Sequence, residues 1–169
     1  ERVSLKMGAT YEIPDASNMV RKGYAFTGNW NVYSSVGTVA ATYNFGDTFV
    51  QSTAGITILY AEWSPKTYTI EFDLGAGTTS SETTIEVGYD SSIVMPDTEN
   101  AGFILGGWTI KIKDTDITYS VSTGDTLRTL ETRNSADLVG TGTTQTFVIT
   151  AIWSAGSNII TVGSRLDET

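Results

Sequence analysis

The sequence contains no cysteine and no histidine. That double absence removes disulfides, thiol nucleophiles, the usual zinc sites and the commonest general base. Proline is scarce, at 3 residues in 169, and lysine numbers only five. No apolar run approaches the roughly 18 residues that span a bilayer. No signal peptide, lipidation motif or Asn-x-Ser/Thr sequon is present, so the numbered sequence reads as a mature or excised segment. Basic charge is thin as well: 10 Lys and Arg against 19 Asp and Glu give a net charge of -9. Such a field repels phosphate backbones and excludes nucleic acid as a partner class.

What is present is 40% hydrophobic and 11% aromatic, with 17 glycines and abundant Thr and Ser. That profile suits twisted antiparallel sheets with hydroxyl-rich outer faces. The stretch Thr57 to Asp73, TILYAEWSPKTYTIEFD, divides the chain. Ile58 to Trp63 is an apolar and aromatic run of strand length, and Ser64-Pro65-Lys66 breaks it because Pro65 has no amide proton for a ladder. Alternation restarts with Tyr68, Ile70 and Phe72 on one face and Thr69, Glu71 and Asp73 on the other. Two small units are expected, each burying about 60% of its unfolded surface.

The halves repeat. Ser4 to Gly8 matches Thr84 to Gly88, and each is followed by Pro-Asp, at Pro14-Asp15 and Pro96-Asp97. Gly23 to Trp30, GYAFTGNW, then answers Gly102 to Trp108, GFILGGW. Sixteen residues after each Trp lies Gly-Asp-Thr, at Gly46 and Gly124, with Tyr43 and Tyr119 upstream. Both copies close on an apolar strand ending in Trp, at Trp63 and Trp153. Pro-Asp, a polar stretch and Gly predict a helix of one or two turns, with Asp15 or Ser17 as its cap and Gly23 as its left-handed exit. Tyr24, Phe26 and Trp30 are expected in the core, with the closing strand paired centrally. Leu127, Leu130 and Leu138, in an insertion of the second copy, mark a further short helix.

These landmarks resemble the Listeria–Bacteroides repeat, the B-repeat of internalin-type surface proteins. Gly102 to Trp108 fits its Gly-Tyr-x-Phe-x-Gly-Trp box with Phe103 for Tyr, and Leu59 to Trp63 fits its closing motif. The first box carries an extra Asn29, and Ile149 to Trp153 departs from the closing pattern. The resemblance implies a mainly β, α+β fold of β-grasp type: residues 1–63 and 68–153 as tandem modules, 64–67 as linker and 154–169 as a tail. It also implies an extracellular or cell-surface protein without catalytic residues, and it names no ligand.

The first copy begins at the module's second strand. A sheet lacking its opening strand exposes open hydrogen-bonding groups and apolar core. Counting five residues past Trp63 gives Tyr68, and five past Trp153 gives Asn158, so Ile160 and Val162 fall where Ile70 and Phe72 stand. Asn158, Ile159, Ile160, Thr161 and Val162 thus read as a donor strand, and Ser4, Leu5, Lys6 and Met7 as its acceptor. Three readings stay open: a piece of a longer tandem array, a subunit whose tail enters the first module of a neighbouring copy, or a tail folded back on its own first module. The favoured function is a non-enzymatic subunit or segment of a surface filament, pilus or stalk linked by strand complementation. The alternative is a tandem-repeat adhesin that binds a host protein or glycan.

Other chemistry is outweighed. Asp114-Thr115-Asp116 lacks the Gly and terminal Glu of a calcium loop. Glu82, Glu86, Asp90 and Asp97 have the letters of a glycosidase pair but also those of outward strand positions. The aromatic set Tyr24, Trp30, Tyr60, Trp63, Phe103, Trp108 and Trp153 recurs at module landmarks, which favours core over a sugar platform. None of the lysines carries an isopeptide motif. No catalytic residue, cofactor or metal is expected.

Overall fold

The computed structural model describes residues 3–16, 18–52, 54–142 and 144–157. The expected donor strand, Asn158 to Val162, lies outside the described residues. In chain order the elements are β1 Thr10–Glu12, β2 Tyr24–Tyr33, β3 Val39–Asn44, β4 Thr48–Val50 and β5 Tyr60–Pro65 in the first half. The second half has β6 Thr67–Asp73, β7 Thr84–Gly88, β8 Phe103–Ile112, β9 Tyr119–Val121, α1 Leu127–Asn134 and β10 Thr146–Ala155. The chain is mainly β, in three sheets ordered β1-β4, β3-β2-β5 and β7-β6-β10-β8-β9.

The second half carries the core. Tyr68, Ile70 and Phe72 alternate inward from β6, as their period of two requires. Val87 from β7, Trp108 and Ile110 from β8, and Phe147 and Ile149 from β10 join them. The Tyr68–Phe147 and Phe72–Trp108 rings meet edge to face, at centroid distances of 5.9 and 6.1 Å. β10 lies at the centre, parallel to β6 and antiparallel to β8. The expected short helix forms as α1, burying Leu127 and Leu130 against this core, while Leu138 packs beyond its end. Thr126 and Thr129 close a reciprocal capping box, and Ser135 ends the helix at φ 50°. Arg133 then returns to Asp125 at 2.9 Å.

The first half follows the same pairing scheme with the equivalents of β6 and β7 absent among the described residues. β2 lies antiparallel between β3 and β5, as β8 lies between β9 and β10. Here several expectations are corrected. Ser4 to Gly8 forms no strand; the first ladder is β1 with β4, Thr10 opposite Val50. No helix forms among the described residues between Pro14 and Gly23. A segment this short gains too few helical bonds to repay nucleation, and Ile13 and Ala16 are instead buried from an irregular loop. Gly23 does take a left-handed conformation, at φ +75°. Tyr24, Phe26, Trp30 and Trp63 are only half-buried. Phe26 meets both Trp rings edge-on at 5.8 Å, yet the Trp30 indole nitrogen is buried without a hydrogen-bond partner. β5 is an edge rather than a central strand. It also runs through the expected break, pairing Pro65 with Tyr24, so that Lys66 alone separates it from β6. An edge position tolerates Pro65 because no donor is demanded there.

Candidate interface: an open edge and a junction

Aligning Trp63 with Trp153 places Ile56–Pro65 on Thr146–Ala155. In the second half all ten of these positions are strand, and Thr146–Thr150 pair in parallel with Thr69–Asp73. In the first half only Tyr60–Pro65 is strand, and Ile56–Leu59 carries no ladder. Among the described residues nothing pairs with the outer edge of β5. The same holds on the other flank. β6 is bonded by β7, with Ile70 opposite Ile85, whereas the equivalent of β7, Ser4 to Gly8, is not a strand. The two segments that would flank an opening strand are the two that fail to form strands. Neither segment carries a strand ladder among the described residues to repay the entropy of ordering, although the Gly8 amide donates to Gln51 O at 2.8 Å.

Exposed apolar side chains gather at this edge. Ile56 is 92% exposed, and Ile58 and Tyr60 are about half exposed. With Val32 and Tyr33 they line an open cleft of about 370 Å³. Tyr33 and Tyr60 meet edge-on at 5.5 Å across it. A row of backbone without a ladder partner beside exposed apolar side chains is what strand addition requires.

A second constellation joins the halves. The Lys66 amide donates to Gly23 O at 2.9 Å, and the Tyr89 amide donates to Lys66 O at 2.9 Å. Tyr24 packs edge-on against Tyr89 at 5.5 Å, and its hydroxyl donates to Asp90. Arg128 reaches both Tyr24 Oη, at 3.2 Å, and Asp90, at 3.3 Å. Lys22 Nζ bridges Glu131 at 2.9 Å and Asp137 at 2.8 Å.

Glu131 is buried, and it also accepts from Tyr89 Oη at 2.6 Å and from the amides of Leu138 and Val139 at 2.7 and 2.9 Å. Burial by itself favours its neutral form. The donors from Tyr89, Lys22, Val139 and Leu138 outweigh that and hold the carboxyl below the ordinary carboxylate range. Burial, reinforced by Glu131, pushes the Tyr89 phenol up. A carboxylate saturated by donors beside a charged amine is a structural ion pair with no proton to give. Sequence reasoning missed this cluster, because nothing in the spacing of Lys22, Tyr89 and Glu131 brings them together.

The carboxylates weighed as a glycosidase pair do not converge. Glu86 accepts from Thr69 and Asp90 from Tyr24. Among the described residues no three acidic side chains gather into a metal site. Asp114 sits in a turn after β8, at φ 65°. In a polar cleft of about 460 Å³ near Asp97, the Thr79 and Thr98 hydroxyls are already spent on the carbonyls of Asp97 and Thr78. Trp108 belongs to the core, while Tyr60 and Phe103 are half exposed. No helix among the described residues is long and apolar enough to cross a membrane.

The second half also carries a family match. Residues 68–138 match the Listeria-Bacteroides repeat domain. The match starts at Tyr68 in β6, the strand with no counterpart in the described first half, and runs to Leu138 beyond α1. A protein of Evansella cellulosilytica described as a Gly-rich membrane protein is 35% identical over 97 residues, 57% of this chain. The aligned part spans 10% of that relative's length. No solved structure matches the chain significantly.

Proposed function

We propose that this chain is a non-enzymatic, extracellular structural segment of a surface stalk or filament. In this reading it comprises two β-grasp modules, residues 1–63 and 68–153, and the first accepts an opening strand from the tail of another copy. What carries the proposal is the contrast between β10, bonded on both edges, and β5, bonded on one. The repeat match over residues 68–138 supports the surface assignment, as does the membrane-protein description of the relative.

The register of β6 sets the pairing. Tyr68, Ile70 and Phe72 face Val87, Ile85 and the parallel partner Ile149. By the repeat alignment, Asn158 would oppose Met7, Ile160 would sit between Leu5 and Thr57, and Val162 would lie beside Leu59. Ser4–Met7 thus keeps its acceptor role, and Ile56–Tyr60 becomes the second, parallel flank. Both segments would become strands on insertion.

A synthetic Ser154–Thr169 peptide added to the full chain tests this. Filaments of the chain should persist on dilution under the electron microscope, and excess peptide should bind and block their growth. Monomers at every concentration, with no peptide binding, refute the reading and leave the adhesin class, which works as a monomer.

A further inference from the structure

The second half sets its first and last strands side by side. The chain enters it at Thr67, where β6 begins, and leaves it at Ala155, where β10 ends. These strands are direct neighbours and run parallel, with Thr146–Thr150 paired to Thr69–Asp73. The start of β6 therefore lies at the opposite end of the seam from the end of β10. Tension along the chain draws β6 toward Thr67 and β10 toward Ala155, so the two strands are driven to slide past each other. Sliding strains every bond of the ladder together, because the bonds run between the strands rather than along them. A pull on two same-end residues opens them one after another instead.

We propose that the seam between β6 and β10 is a force-bearing clamp, through which the second half carries tension along the chain without unfolding. This deepens the proposed function and rests on its reading of the chain as a stalk segment, since a stalk is a chain under tension.

Three features besides the ladder oppose the slide. Ile70 stands opposite Phe147 and Phe72 opposite Ile149, and all four side chains are buried. A slip of one residue turns a strand's inward side chains to the other face, so the core resists the first step of sliding. Trp153 adds a pin. It lies on β10 past the end of the ladder, and its indole nitrogen donates back to Leu74 O, just past β6, at 2.9 Å. Its ring packs under Gly77, where an added Cβ would stand 2.6 Å away. Drawing β10 toward Ala155 pulls this bond apart. Finally, neither strand is an edge: β7 holds β6 from outside, and β8 holds β10 from Phe147 to Ala155. The rest of the sheet hangs outside the seam, which alone lies between entry and exit.

The chain has no native cysteine, so an engineered pair defines the pulling axis in the full chain. Thr67→Cys with Ala155→Cys, joined to DNA handles in an optical trap, pulls the seam in shear. Thr67→Cys with Thr144→Cys, beside the two strand starts, peels it. Forced unfolding follows the unfolding barrier along the pulled direction, so at one loading rate the shear axis should rupture at a force at least about twofold above the peel axis. Trp153→Phe keeps the ring and removes the donor; it should lower the shear force and leave the peel force unchanged. Equal forces on the two axes overturn the clamp, and an equal fall on both in Trp153→Phe removes Trp153 from it. The proposed function is judged separately. Filaments whose subunits show no force asymmetry leave that reading standing and strike the clamp, whereas monomers that show the asymmetry strike strand insertion and leave the clamp.

Discussion

Replacing Glu131 by Ala removes the acceptor on which both the junction and the loop after α1 depend. Glu131 is 7% exposed, and the change strands the amides of Leu138 and Val139 and the Tyr89 hydroxyl. Each buried orphan costs about 1–3 kcal/mol, and partial relaxation to water leaves a net loss of about 3 kcal/mol. For a unit of 60–100 residues that lowers Tm by roughly 12–24 °C, read by circular dichroism on heating. Lys22 is the contrast. Its side chain is 37% exposed, so Lys22→Ala should cost at most about 1 kcal/mol, and the double variant should resemble Glu131→Ala.

The pH dependence carries a sign. Because the folded-state pKa of Glu131 is depressed, its contribution is fully present above the unfolded value of about 4.3 and is lost as pH falls through the folded value. Tm should therefore drop below about pH 4.3, and Glu131→Gln should flatten that drop. A Lys22→Ala cost equal to that of Glu131→Ala, or a Glu131→Ala cost under about 1 kcal/mol, would refute the reasoning, since the stranded donors would not be what matters.

Two glycine substitutions separate backbone strain from contact. Gly8→Ala, at φ +81° with open space around it, should cost about 1 kcal/mol in urea unfolding. Gly23→Ala adds a clash with the Tyr89 ring and should cost about 2–4 kcal/mol; equal costs would mean the junction is looser than its geometry. Amide exchange tests the open edge. β6 and β10 should be strongly protected, whereas Ser4–Met7 and Ile56–Leu59 should exchange freely until the Ser154–Thr169 peptide is added. Slow exchange there without peptide would mean those segments already have partners. In the core, Ile149→Ala should cost about 2–5 kcal/mol, and Ile58→Ala, on the open edge, under about 0.5 kcal/mol.

Local pattern was legible wherever the partner strand exists. The alternation of Tyr68, Ile70 and Phe72 appears as written, and Leu127 and Leu130 stand in a helix while Leu138 lies beyond its end. It failed at Ser4–Gly8, whose letters match those of β7 but which has no β6 beside it. It failed again at Pro14–Gly23, where capping letters stand in a segment too short to nucleate a helix. The first-half aromatics were expected to be core because they repeat, yet repetition records ancestry of the pattern and not the presence of a partner to pack against.

The sequence by itself determined the period of two in each strand, the left-handed glycines at the turns and the repetition of the landmarks, all of which depend on residues near one another along the chain. Only the tertiary structure decided which copy of that pattern is fully paired among the described residues. It did so because burial of Phe147 and Ile149 and the bonding of both edges of β10 need β6, a strand supplied nearly eighty residues earlier. β5, which shares with β10 the Trp and the small residues flanking it, remains an edge among the described residues. The junction of Lys22, Tyr89 and Glu131 is likewise a product of folding, since its three members come from distant loops and a helix whose meeting no spacing encodes.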